Sequence, residues 1–276
     1  MLLLAAVALF VGGAVVSLSE LDVELATLTW WPLVLVAVLG TPATIAVNAA
    51  ELRVLATLAG ARPMPWLQAA RIVIVATAAN VLPLPGGALV RVHALRSAGA
   101  GLAQATSVTL LAAGLWVATA VGIAGLAALG YAPVAAALAL AAAVAGLVTV
   151  AVLVRATTAR WSVAALARLA AVEIVTTLVH GVRLWLVLVA LGVGAQLSQA
   201  LVLGAGAPLA AAAGVFPSGL GLAELLSALL APAVALPAAA GFAAAALARV
   251  VGLLATVPAA LALGVRDLTP SVPAED

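Results

Sequence analysis

The sequence predicts an all-α, polytopic helical membrane protein made of two inverted repeats, each with a Pro/Gly-broken re-entrant hairpin. Three observations carry this. The 276 residues are 67% hydrophobic and only 7% charged, with a mean hydropathy of +1.35. A soluble domain carries about 25% charged residues, so this chain has too few to cover a water-facing surface. Its apolar runs are about 20 residues long and lack the period-2 alternation of a membrane β-barrel. Finally, two Pro/Gly breaks interrupt otherwise apolar segments at matching places in the two halves.

Cys is absent, which excludes a disulfide framework, a thiolate metal site and a catalytic thiol. All 11 basic residues are Arg. Guanidinium forks suit phosphate oxygens, but codon usage that favours Ala and Arg together gives the same composition. The net charge of +2 carries no signal for nucleic acid.

Residues 1–18 form the first apolar span, read as retained because no basic stretch precedes it. An acidic loop with Glu20, Asp22 and Glu24 follows. Residues 28–50 form the second span, with Trp30 and Trp31 as interfacial anchors, and end at Glu51 and Arg53 before a loop with Arg62. Arginine marks the cytoplasmic side, so the acidic loop is expected outside and the N-terminus inside.

The stretch 66–98 contains Asn80-Val-Leu-Pro83-Leu-Pro85-Gly86-Gly87, then Arg91, His93 and Arg96. Proline lacks a backbone donor, so one unbroken helix does not pass through it. Residues 102–129 and 133–154 are clean spans joined by a tight turn, and Arg155, Arg160 and Arg168 then mark the cytoplasmic side again. Two spans between two cytoplasmic loops require 66–98 to return to its own side.

The second half repeats this plan, with a span at 168–193, a break within 197–232 and a last span at 237–264 before Arg266. Pro85-Gly86-Gly87 and Pro217-Ser218-Gly219 are offset by 132 residues. Three crossings plus a hairpin per half invert the second half relative to the first. The expected organisation is therefore one transmembrane domain over 1–266, with pseudo-repeats 1–130 and 133–264 and a polar tail at 267–276. Both termini are expected on the cytoplasmic side of a cell (inner) membrane. Repeats of this kind place substrate near the midplane.

The segments NVLPLPGGALVR…LRSAGAGLAQA and FPSGLGLAELLSALL…AAALARVVGLL resemble the two signatures of the lysylphosphatidylglycerol synthase transmembrane-region family, also called flippase-like or UPF0104 proteins. The resemblance covers most of the chain. It implies a membrane domain that moves phospholipid or polyprenyl-phosphate-linked head groups between leaflets. The chain departs from the pattern at Ala88, where many members carry Glu. It departs again around Trp116, where many carry an acidic–Arg pair.

The candidate substrate-binding residues are Asn80, Pro85, Gly86, Gly87, Arg91, Pro217, Ser218, Gly219, Glu224 and Arg249. A charge at the bilayer centre costs about 2.5–3.5 kcal/mol on insertion scales, so intramembrane charges tend to be functional. Arg91 is read as a head-group phosphate contact, against the alternative that it only reaches for the cytoplasmic surface. Glu224 needs a partner in its apolar setting, and Arg249 is the expected one. Asn80 has two equal readings, satisfying backbone groups freed by the first break or contacting substrate. Glu173, His180 and Arg183 share one broad sector of a helix and form a secondary set. The His and Glu residues lack metal-ligand spacing, so no metal and no cofactor are expected.

The function expected is translocation of an anionic phospholipid or polyprenyl phosphate, with membrane lipids as partners and no enzymatic activity. The rival readings are a non-transporting scaffold for a cell-envelope or lipid-modifying enzyme, and a transporter of a small solute.

Overall fold

The computed structural model describes residues 2–22, 27–80, 86–157, 163–213 and 219–263. Pro83, Pro85, Pro217, Ser218 and the tail 267–276 lie outside the described residues, as do Glu24, Arg160 and Arg266. The described residues form helices and turns, with no strand among them.

The order is α1 (Leu2–Glu20), α2 (Trp30–Leu35), a π-helical turn (Val36–Gly40), α3 (Thr41–Leu58), α4 (Trp66–Ala79), α5 (Gly86–Ser97) and α6 (Leu102–Ala128). Then follow α7 (Pro133–Thr157), α8 (Val163–Ala190), α9 (Leu197–Gly204), α10 (Gly206–Ala213), α11 (Leu222–Leu230), a 3-10 turn (Ala231–Val234) and α12 (Ala238–Leu263). Five stretches are long and apolar enough to cross a membrane: Trp30–Leu58, Leu102–Ala128, Pro133–Leu153, Val163–Ala190 and Ala238–Leu263. At 1.5 Å per residue each exceeds or matches a hydrocarbon core of about 30 Å. This is a multi-pass membrane architecture. In α1, the stretch Leu4–Glu20 falls among the shorter apolar helices.

One boundary differs from the sequence expectation in a way that matters. The second span does not stop before Glu51, because α3 runs on to Leu58 and buries Glu51 to 5% exposure. The charge needs no water there because the fold supplies a partner. Within the same span, the π turn ends at Gly40-Thr41-Pro42. Pro42 has no N–H to continue the helical ladder, and Thr41 reaches back to the Val36 carbonyl with both its N–H and its Oγ1, the latter at 3.1 Å.

The two broken segments each fold into a helical hairpin whose ends meet. In the first, α4 packs on α5, and the Arg62 N–H donates to the Ala98 carbonyl at 2.8 Å. In the second, α10 packs on α11, and Gln199 Nε2 donates to the Val234 carbonyl at 2.7 Å. The Tyr131 hydroxyl donates to Gln196 Oε1 at 3.0 Å, tying the α6–α7 turn to the base of that second hairpin.

Glycine is required at both breaks. A Cβ on Gly86 would overlap the Ala79 carbonyl, and one on Gly87 would overlap Asn80 Oδ1. Gly219 and Gly221 adopt φ of 65° and 78°, a region that side chains disfavour.

The element order recurs at the 132-residue offset. Shifting 30–58 gives 162–190, against α8 at 163–190; shifting α4 gives 198–211, against α9 and α10 at 197–213. Shifted α6 lands on 234–260, against α12 at 238–263. Two apolar cores each draw on both halves: one joins Leu52, Leu55, Leu95, Val108 and Leu169, and the other joins Leu33, Val36, Ala124, Leu184, Leu203 and Ala244. The helices α3 and α8 pack against each other across the two halves.

Candidate functional site: a buried polar network at the α3–α8 contact

Thr44, Asn48 and Glu51 are spaced by four and three residues, which puts them on one face of α3. Arg91 Nη1 donates to both oxygens of Glu51 at 2.9 Å, and its Nη2 donates to Asn48 Oδ1 at 2.6 Å. Asn48 is fixed in turn, its Nδ2 donating to the Thr44 carbonyl at 2.8 Å. The Arg91 fork is therefore held on three points. Glu173 of α8, 2% exposed, feels the charges of both Glu51 and Arg91, and its Oε1 is buried without a hydrogen-bond partner.

A second cluster lies on the other side of Thr44. Arg183 of α8 donates from Nη1 to Thr44 Oγ1 at 3.0 Å and from Nη2 to the Ala248 carbonyl at 3.5 Å. Its Nε is buried without a partner. Room for this side chain comes from two glycines. A Cβ on Gly40, the last residue of the π turn, would come within 2.8 Å of Arg183 Cγ, and one on Gly252 of α12 would lie 3.1 Å from Nη2. A π turn beside a functional side chain is a recurrent arrangement. Nearby, Arg249 Nε donates to Glu224 Oε1 at 2.5 Å, and Glu224 is 1% exposed. Glu224 stands in the first turn of α11, where the helix dipole favours a carboxylate. His180 lies against Gly204 and within electrostatic reach of Arg183 and Arg249.

The two clusters carry opposite formal charge. Glu51, Glu173 and Arg91 leave one negative charge in excess, whereas Arg183, Arg249 and Glu224 leave one positive. A shift of 132 residues carries Thr44, Asn48 and Glu51 onto Thr176, His180 and Arg183, so polar residues recur at the same spacing and the charge is opposite at one position, Glu51 against Arg183. It also carries Arg91 to within one residue of Glu224.

The sequence-based candidates are distributed as follows. Glu224 and Arg249 are paired. Arg91 and Glu224 belong to different clusters, and Glu173, His180 and Arg183 bridge the two along α8. Asn80 serves the backbone, accepting the Gly87 N–H at 3.0 Å across the break. Gly86, Gly87 and Gly219 shape the hairpin tips. His93 and Arg96 are exposed. Sequence reasoning missed Thr44, Asn48 and Glu51; their helical spacing inside an apolar span was the available signal. Among the described residues, no group of three or more His, Asp and Glu side chains is placed to hold a metal.

An apolar groove opens beside the network, lined by Ala46, Val47 and Ala50 of α3, Trp66, and Ala171, Val172 and Val175 of α8. Comparisons with family models, curated proteins and solved structures find no match for this chain.

Proposed function

We propose that the protein is a lipid translocator, moving an anionic phospholipid or polyprenyl phosphate across the bilayer with its head group in the polar network. The observation that carries this reading is Arg183. It is a guanidinium inside a spanning helix, about two turns from its C-terminal end, with a buried, unpartnered Nε, and it stands in the cluster with excess positive charge. A phosphate would supply the missing charge and acceptors. The head-group contact then centres on Arg183 and Arg249, since Glu51 and Asn48 already engage Arg91. The groove beside α3 and α8 suits an acyl or prenyl chain.

Inverted repeats with re-entrant hairpins fit this function, and the hydrogen bonds at the hairpin bases support them. The first hairpin closes at Arg62–Ala98, just before α6 begins; the second adjoins Tyr131, just after α6 ends. An α6 of 27 residues is about 40 Å long, so the two bases lie at opposite ends of a spanning helix. The resemblance to the flippase-like family points the same way.

Translocation of head-group-labelled phosphatidylglycerol and of a polyprenyl phosphate in proteoliposomes tests the proposal. Wild type is expected to move at least one of them, and folded Arg183→Gln to lose that movement. Well-folded wild type that moves neither would overturn the reading, favour the scaffold alternative and direct attention to envelope-enzyme partners.

A further inference from the structure

The cluster with excess negative charge asks for a counter-charge of its own. Glu173 is 2% exposed, and its Oε1 meets no hydrogen-bond donor. The elements packed on α8 supply few titratable groups. The packing of α3 on α8 brings Glu51, with Arg91 attached, within electrostatic reach of it, and Arg53 of α3 instead points over the Trp66 ring. The Trp30–Gly40 stretch, α6 and α9 contain no titratable residue, and the single one on α12, Arg249, pairs with Glu224. On α8 itself Arg168 precedes Glu173 and is exposed, while His180 and Arg183 lie about two and three turns further along, toward the positive cluster. One guanidinium thus serves two carboxylates in a site removed from water. Two like charges that share a site do not both stay ionised there.

We propose that Glu51 and Glu173 form a proton-binding pair, with the proton on Glu173 while Arg91 occupies Glu51, and that this pair couples translocation to protons. The coupling rests on the lipid-translocator reading; the proton site does not. With the head group held at Arg183 and Arg249, the cycle carries Arg91 into reach of both carboxylates and the Glu173 carboxyl releases its proton to water; when Arg91 settles back on Glu51 alone, Glu173 takes a proton up again. Arg91 and Glu51 side chains are 20% and 7% exposed, so protons reach the pair from the Arg91 side while Glu173 stays dry. A sodium ion is the competing occupant, but two carboxylates alone offer it a poor oxygen cage.

The test begins with a readout that needs no transport. Infrared difference spectra of wild type in phosphatidylcholine nanodiscs are expected to contain the C=O stretch of a protonated buried carboxyl at neutral pH. Glu173→Gln removes that band and Glu173→Asp restores one. Because Gln mimics the protonated acid, Glu173→Gln is also expected to melt no lower than wild type at neutral pH. A missing band, a band that survives Glu173→Gln, or a wild-type melting temperature raised by sodium would each overturn the proton site.

The coupling is read in proteoliposomes of phosphatidylethanolamine and phosphatidylglycerol under an imposed pH or sodium gradient. Wild-type lipid movement should follow the pH gradient, and Glu173→Gln should lose that response. A response to sodium alone, or an unchanged pH response in Glu173→Gln, overturns the coupling. Wild type that moves no lipid under any gradient removes the coupling and the translocator reading together, while the infrared band still decides the proton site.

Discussion

Arg91 and Glu51 are 40 residues apart in sequence, yet one guanidinium nitrogen contacts both carboxylate oxygens at 2.9 Å. The contact fixes α5, the helix after the first break, to α3, the helix that carries the polar face. It also determines which arginine remains available to a ligand.

Breaking this contact from one side should be costly. Removing one partner of a buried ion pair typically destabilises by about 3–5 kcal/mol, because the other charge is left buried and alone. Glu51→Ala is therefore expected to lower the melting temperature in detergent markedly, and Arg91→Ala to do the same. In Glu51→Ala/Arg91→Ala the loss should be much smaller than the sum of the two singles. Additive losses in the double variant would show that the two residues act separately.

The Glu224–Arg249 pair separates structure from function more cleanly. Replacing a buried ion pair by apolar residues of similar size is often neutral or stabilising. Glu224→Leu/Arg249→Leu is expected to melt within a few degrees of wild type and to lose lipid movement, whereas Glu224→Leu alone should be unstable. If the double variant still moved lipid, the pair would be a structural tie between α11 and α12.

Much of this arrangement was legible in the sequence, and the limits are physical. The apolar runs placed five of the six expected spans, because length and hydropathy set which helices can cross a bilayer; the first, at 1–18, falls among the shorter apolar helices. Glu224 and Arg249 announced each other because each stood charged in an apolar run. Glu51 read as the edge of a span, since Glu51-Leu-Arg53 looks like the charged collar of a helix end. Only the rotation of α5, which brings Arg91 onto that face, shows otherwise. The 132-residue offset between Asn48 and His180 and between Glu51 and Arg183 is hidden from residue matching, because it keeps spacing and polarity but not residue identity, and sets opposite charges at the second pair.

The slot around Arg183 gives a third prediction. Gly40 and Gly252 leave room that any larger residue would take from the guanidinium. Gly252→Val is expected to cost about 1–3 kcal/mol from overpacking and to abolish the lipid movement that depends on Arg183. Gly12, which has no atom within 4 Å of a built Cβ, is the control: Gly12→Ala should change neither quantity. Equal losses in both variants would mean that small residues matter here only for general packing.

The hairpin topology is open to a direct test because the chain has no native cysteine, so any introduced thiol is unique. Arg62→Cys and Ser97→Cys stand at the two ends of the first hairpin, and Gly130→Cys at the far end of α6. The Arg62–Ala98 hydrogen bond requires the first two positions to lie on one side of the membrane. An impermeant maleimide added to intact cells should leave both unlabelled and label Gly130→Cys; inside-out vesicles should give the reverse. If 66–98 crossed the membrane once, Arg62→Cys and Ser97→Cys would label from opposite sides. The second half would then no longer be inverted relative to the first, and the charge-reversed faces of α3 and α8 would no longer be related by a two-fold axis in the membrane plane. Labelling of Arg62→Cys and Ser97→Cys from one side keeps that axis. It then places Glu51 and Arg183 at equivalent depths, facing opposite leaflets, as a site that serves both sides of the membrane requires.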